Sequence, residues 1–156
     1  MKPEIGISDK HLHKNVHLLA VLLADEMLLY IKTRKFHWNV SGESFMELHK
    51  LFEHQYSELE ITIDALAERI NKLGSKTIGT MKEFVELTRL KESPDSYPNQ
   101  KDMMKELLKD YDTLISEIRK DIDESSKNKD AGTADFLTGI LQDHETTAWI
   151  LRRYLN

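Results

Sequence analysis

Apolar residues recur at three- and four-residue steps through most of the chain. Leu12, Val16, Leu19, Leu22, Leu23, Met27, Tyr30 and Ile31 form the first such stripe, and this period predicts a helix over 9–39 with Ser8 as its N-cap. After a turn around Gly42, Ser44 and Glu47 stand in capping-box spacing ahead of a second stripe: Phe45, Leu48, Phe52, Tyr56, Leu59, Ile63, Leu66, Ile70 and Leu73. That predicts an uninterrupted helix of about 45 Å, closed by Gly74. Between 75 and 100 the pattern breaks into glycine, threonine, Pro94 and Pro98. Within this stretch Thr80 and Glu83 form a second capping signature that starts a short helix over 81–90. A third long helix is expected over 99–126, with Met104, Leu107, Leu108, Tyr111, Leu114, Ile115, Ile118 and Ile122 inward. A fourth is expected over 133–154, with Phe136, Leu137, Ile140, Leu141, Trp149, Ile150 and Leu151 inward. Four long helices joined by a long central crossover predict an all-α, ferritin-like four-helix bundle rather than an up-down bundle with short loops.

Composition narrows the picture. A chain of 156 residues, 40% of them hydrophobic, suits one domain over 1–156. No apolar run is long enough for a membrane span and the first residues lack a secretory signal, so a soluble cytoplasmic protein with no membrane partner is expected. With no cysteine, disulfides, iron–sulfur clusters and thiol catalysis are excluded, and any metal falls to His, Asp and Glu. The net charge of −5 argues against a globally basic nucleic-acid surface.

The residues able to carry chemistry sit on and beside the second long helix. A di-iron centre inside one bundle uses paired Glu-x-x-His motifs. Here the residues three before the seven histidines are Ser8, Lys10, Lys14, Arg34, Met46, Leu51 and Leu141, so that motif is absent. Instead His49 and Glu53, then Asp64 and Glu68, form two i,i+4 pairs that fall within an arc of about 100° beside the apolar stripe. His49 and Asp64 lie about 22 Å apart along a continuous helix, against metal bonds of about 2 Å. One helix therefore cannot bring both pairs to one ion. Two copies packed antiparallel across a two-fold axis would set His49 and Glu53 of one against Asp64 and Glu68 of the other, making two equivalent sites. His37, in the last turn of the first helix, stands level with His49 across the turn and would join them. The plainer reading of the same pairs is a solvated charged flank.

The run from Lys35 to Ile70, KFHWNVSGESFMELHKLFEHQYSELEITIDALAERI, resembles the signature of the Dps mini-ferritins, the DNA-binding proteins from starved cells. The matching pieces are Phe36-His37-Trp38-Asn39-Val40, Leu48-His49, Phe52-Glu53 and Asp64 to Ile70, and the likeness extends to the chain length, the short crossover helix and Thr133-Ala134-Asp135. The resemblance implies a dodecameric hollow shell that oxidises Fe(II) with hydrogen peroxide, or more slowly dioxygen, at intersubunit ferroxidase sites of two irons each. It implies His37, His49, Glu53, Asp64 and Glu68 as iron ligands and Trp38 as an aromatic neighbour. Glu53 stands where an Asp is also common, and its longer arm would shift a ligand or admit water. Asp130 and Asp135 resemble acidic residues lining iron-entry pores; their plainer roles are a turn residue and a first-turn helix charge. The family's association with DNA and the nucleoid finds little support here: Lys2 is offset by Glu4 and Asp9, only Arg152 and Arg153 precede Asn156, and twelve copies at −5 each would carry about −60. The alternatives are a DNA-compacting protein with secondary metal binding and a zinc or manganese buffer. His13 and His17, with His11 nearby, read as exposed polarity without a carboxylate cluster beside them; His54 and His144 read as surface or interface residues, and Trp149 and the methionines as core.

Overall fold

The computed structural model describes residues 3–156; Lys2, weighed above for DNA binding, lies outside them. Among the described residues there are five helices and no strand: α1 (Asp9–Asn39), α2 (Phe45–Lys72), α3 (Met81–Leu87), α4 (Gln100–Lys127) and α5 (Ala131–Leu155). α1, α4 and α3 each start on a side-chain cap. Ser8 Oγ accepts the His11 N–H, Asn99 Oδ1 accepts the Asp102 N–H at 3.0 Å, and Thr80 and Glu83 complete a reciprocal capping box on α3. Ser44 departs from expectation: its backbone is not extended and its hydroxyl caps nothing, while Glu47 instead accepts the Tyr154 hydroxyl at 2.6 Å. A tertiary hydrogen bond from α5 has taken the side chain that a local motif would have used.

α1 and α2 pack as an antiparallel hairpin across the turn that contains Gly42 at φ 114, and α4 and α5 as another across Asn128–Asp130. Leu19, Leu22, Leu29, Phe52, Leu66, Ile70, Leu107, Leu114, Ile118, Leu137 and Leu151 fill the space between the hairpins. Fully burying one such side chain is worth about 1.5–3 kcal/mol. α3 lies in the crossover against α1, and the chain just after it is fastened by charge. Arg89 Nε donates to the fully buried Asp25 at 2.7 Å, and its Nη1 reaches Glu117 and Asp121 of α4. Burial pushes the Asp25 carboxyl above its ordinary value and Arg89 offsets part of that. Lys32 of α1 adds a 2.6 Å bond to Asp110 of α4. The crossover is thus tied to both hairpins, through Arg89 and through the Lys91 carbonyl that also accepts from Lys32.

Four expectations about the core fail: Trp149 is 56% exposed, and Phe45, Met46 and Met81 are also exposed. Met1, read with the other methionines as core, lies outside the described residues.

Candidate metal centre

The α1–α2 hairpin decides the first half of the site. Its antiparallel register brings His37, in the last turn of α1, face to face with His49, in the second turn of α2: the rings stack at 3.8 Å between centroids with 19° between planes. His37 Nδ1 lies 2.8 Å from the His49 carbonyl and His49 Nδ1 3.0 Å from the His37 carbonyl. A carbonyl only accepts, so each Nδ1 carries the proton and each Nε2 is left with its lone pair. Backbone carbonyls are the partners that fix a metal-binding imidazole in this tautomer. Phe45 packs against His49 at 5.1 Å and Tyr56 meets His37 edge-on at 5.2 Å, so the pair is walled on both sides. His37 is buried and His49 half-buried.

The carboxylates are placed differently. Glu53 is exposed one turn beyond His49; Asp64 and Glu68 are exposed farther along α2, where among the described residues Asp64 has no hydrogen-bond or ion-pair partner and Glu68 is held by Lys72 alone at 3.1 Å. Within one chain the described residues hold no group of three His, Asp or Glu side chains close enough to enclose a metal ion. Trp38 stands 63% exposed beside the pair, with the Arg34 guanidinium 5.4 Å from its ring.

Residues 16–156 match the model of the ferritin-like domain. The DNA protection during starvation protein 2 of Bacillus anthracis is 36% identical over 141 residues, covering 90% of this chain and 96% of that protein. An uncharacterised low temperature-induced protein of Nostoc is 42% identical over 152 residues, covering 97% of this chain and 85% of that protein. A Dps protein from Vibrio cholerae, described as one of the ferritin-like diiron-carboxylate proteins, superposes with a TM-score of 0.93 at 29% identity, covering 99% of this chain and 97% of that one. The chain belongs to the Dps family of mini-ferritins.

In this Dps chain Asp130 is 2% exposed and spends its carboxylate inside the fold. It caps α5 by accepting the Thr133 N–H at 2.9 Å and also accepts from Thr133 Oγ1, Asn15 and Arg69. Burial alone would raise its pKa; the bonds from Thr133 and Asn15 and the Arg69 charge bring it below the ordinary value. Asp135 is exposed one turn into α5.

His144 is a correction. It is 3% exposed, not a surface residue, and its Nε2–H donates to the fully buried Glu26 at 2.7 Å, with Tyr111 edge-on at 5.1 Å. A signal for this was present: Glu26 follows Leu22 by four residues and His144 follows Ile140 by four, so both fall on the buried stripes. A charged group on a stripe asks for a partner, and each supplies the other's. His13, His17 and His54 are exposed as expected, but Asp121 and Glu124 of α4 share a surface hollow with His13 and His17, which no pattern within α1 announces.

Proposed function

We propose that the protein is an iron-storing, iron-detoxifying ferroxidase whose centres form where two copies pair α2 antiparallel. The observation that carries this is the reciprocal bonding of His37 and His49, which fixes two imidazoles with free Nε2 lone pairs beside an exposed Glu53. Two nitrogen ligands and one carboxylate with open positions suit Fe(II) as substrate, and further oxygen ligands favour the Fe(III) product. Asp64 and Glu68 of the partner subunit supply that oxygen set, giving a centre for two irons, and Glu53 reaches the metal directly or through water. Trp38 flanks the pair.

Each Fe(II) gives one electron to a shared hydrogen peroxide. The O–O bond breaks, two protons are taken up and two waters form, so no one-electron hydroxyl radical is released. Dioxygen serves as a slower oxidant. The Fe(III) is deposited as mineral inside a hollow shell of twelve chains, which protects the cell from the iron–peroxide reaction. Asp135 at a three-fold pore would draw cations inward; Asp130, bonded within its own chain, would shape that pore more than line it.

Anaerobic Fe(II) loading followed by peroxide, with particle mass measured in parallel, tests the reading. Two irons oxidised per peroxide in a particle of about twelve chains is the expected result. A 1:1 ratio, or a monomer that oxidises iron at the same rate, counts against it. A zinc or manganese buffer would bind its ion without redox turnover. A DNA-compacting role is disfavoured by the net charge of −5 per chain, which repels phosphate at ordinary salt. A clear, salt-sensitive gel shift near pH 7 would reinstate it.

A further inference from the structure

His13 and His17 stand four residues apart on α1, so their side chains project from one face with Cβ atoms about 6 Å apart, the spacing at which a helix offers two imidazoles to one ion. Both are exposed, and neither is engaged by a hydrogen bond or ion pair among the described residues, so all their ring nitrogens are available. The fold then adds what α1 lacks. α4 crosses beside them, and its Asp121 and Glu124 line the same surface hollow as His13, Lys14, His17 and Leu18.

The two carboxylates are not equivalent. Asp121 is committed, accepting from Arg89 Nη1 at 3.1 Å in the network that also holds Asp25. Glu124 is loosely held: one oxygen lies 3.5 Å from Lys14 and the other 3.7 Å from Lys127, all three side chains well exposed. Ion pairs this long and this wet are weak, and a Glu side chain released from them has rotamers to spare.

We propose that His13 and His17 chelate a borderline divalent cation of the Zn(II) type on the outside of the bundle, and that Glu124 swings from Lys14 to complete the site. The chelate is two-pointed until Glu124 moves, with water filling the remaining positions of a tetrahedral shell. Asp121 contributes negative potential from behind the hollow without binding the ion. Lys14 is the competitor: the cation replaces its ammonium as the partner of Glu124. The site shares no residue with the His37–His49 centre and stands whether or not that centre oxidises iron.

Zn(II) titration of the intact, assembled protein against a chromophoric chelator tests this. His13→Ala/His17→Ala is expected to lose one zinc equivalent per chain while keeping the wild-type rate of peroxide-driven iron oxidation; zinc held at His37 and His49 remains and is counted separately. Glu124→Gln is expected to weaken the site about tenfold, as loss of a carboxylate from a histidine-bound metal does. Lys14→Gln, which frees Glu124, is expected to tighten it by about threefold. These substitutions lie on exposed helix faces, so folding is little affected. Wild-type zinc stoichiometry in the double variant overturns the proposal. So does a Glu124→Gln protein that binds as tightly as wild type.

Discussion

At the start of α2, His49 is locked against His37 by two hydrogen bonds and a ring stack, whereas about four turns along the same helix Asp64 and Glu68 stand in solvent, with the exposed Lys72 paired to Glu68. His49 with Glu53 and Asp64 with Glu68 follow the same i,i+4 rule and flank the same stripe. The difference is what the chain itself supplies opposite them. The hairpin turn folds α1 back onto the first turns of α2, so the histidines find each other within one chain and their tautomer is settled before any metal or second copy arrives. Among the described residues none bonds to the exposed Asp64 carboxylate, which keeps its water. One region is preorganised by folding and the other is left open to solvent; under the proposed function a second copy supplies what the open one lacks.

This contrast breaks down most visibly if the two halves do not act together. His37→Ala and Asp64→Ala should each slow peroxide-driven iron oxidation by about 100-fold, the upper range for disturbing a metal's ligand shell, with particle mass unchanged. Stopped-flow absorbance would read this, and a wild-type rate in either variant would separate the halves.

The next effect concerns stability behind the open half. Arg69, beside Glu68, donates to Thr133 Oγ1 and Asp130, so the Asp130 cluster anchors this end of α2 to α5. Asp130→Ala should cost about 2 kcal/mol at pH 7 by leaving Thr133 N–H, Asn15 and Arg69 short of an acceptor. The pH dependence has a definite sign. Asp130 has a folded pKa below its unfolded one, so its contribution is present in full above the unfolded carboxylate range and is lost as pH falls through the folded value. The gap between wild type and Asp130→Ala in urea midpoints should therefore narrow in acid; a gap that widens would contradict the assignment.

Smaller is the intrachain worth of the histidine pair. His37→Ala should lower metal-free stability by about 1 kcal/mol, since the His49 carbonyl and ring lose their partners. Smallest is Asp64→Ala, expected within about 0.5 kcal/mol because its exposed side chain makes no hydrogen bond or ion pair among the described residues. Thermal unfolding of the metal-free protein checks both, and equal shifts would erase the distinction between a built half and an open one.

Much of the architecture was legible from periodicity and caps. The ends of α1 match the spacing at Ser8 and Asn39, and Thr80 with Glu83 cap α3 as read. α5 begins two residues earlier than Thr133 because Asp130 caps it. Three of the misreadings share one physical origin. Ser44 lost its capping role, His144 proved buried, and carboxylates appeared beside His13 and His17. Each outcome depends on a residue far away in sequence: Tyr154 for Glu47, Glu26 for His144, Glu124 for His13 and His17. Local pattern reports which face of a helix is apolar; it does not report which polar group on another helix will arrive there.

The amino-acid order by itself determined the helices and their order, the hairpin turns and the fifteen-residue gap that keeps His49 and Asp64 apart, because these follow from backbone period and rise; the short helix, expected over 81–90, runs Met81–Leu87. Tertiary structure alone decided which imidazole nitrogens are spent and which are free, that Asp130 turns inward to hold Asn15 and Arg69, and that Glu26 finds His144. Those outcomes are set by hydrogen-bond partners brought within 3 Å only when the hairpins pack, and no local rule contains that distance.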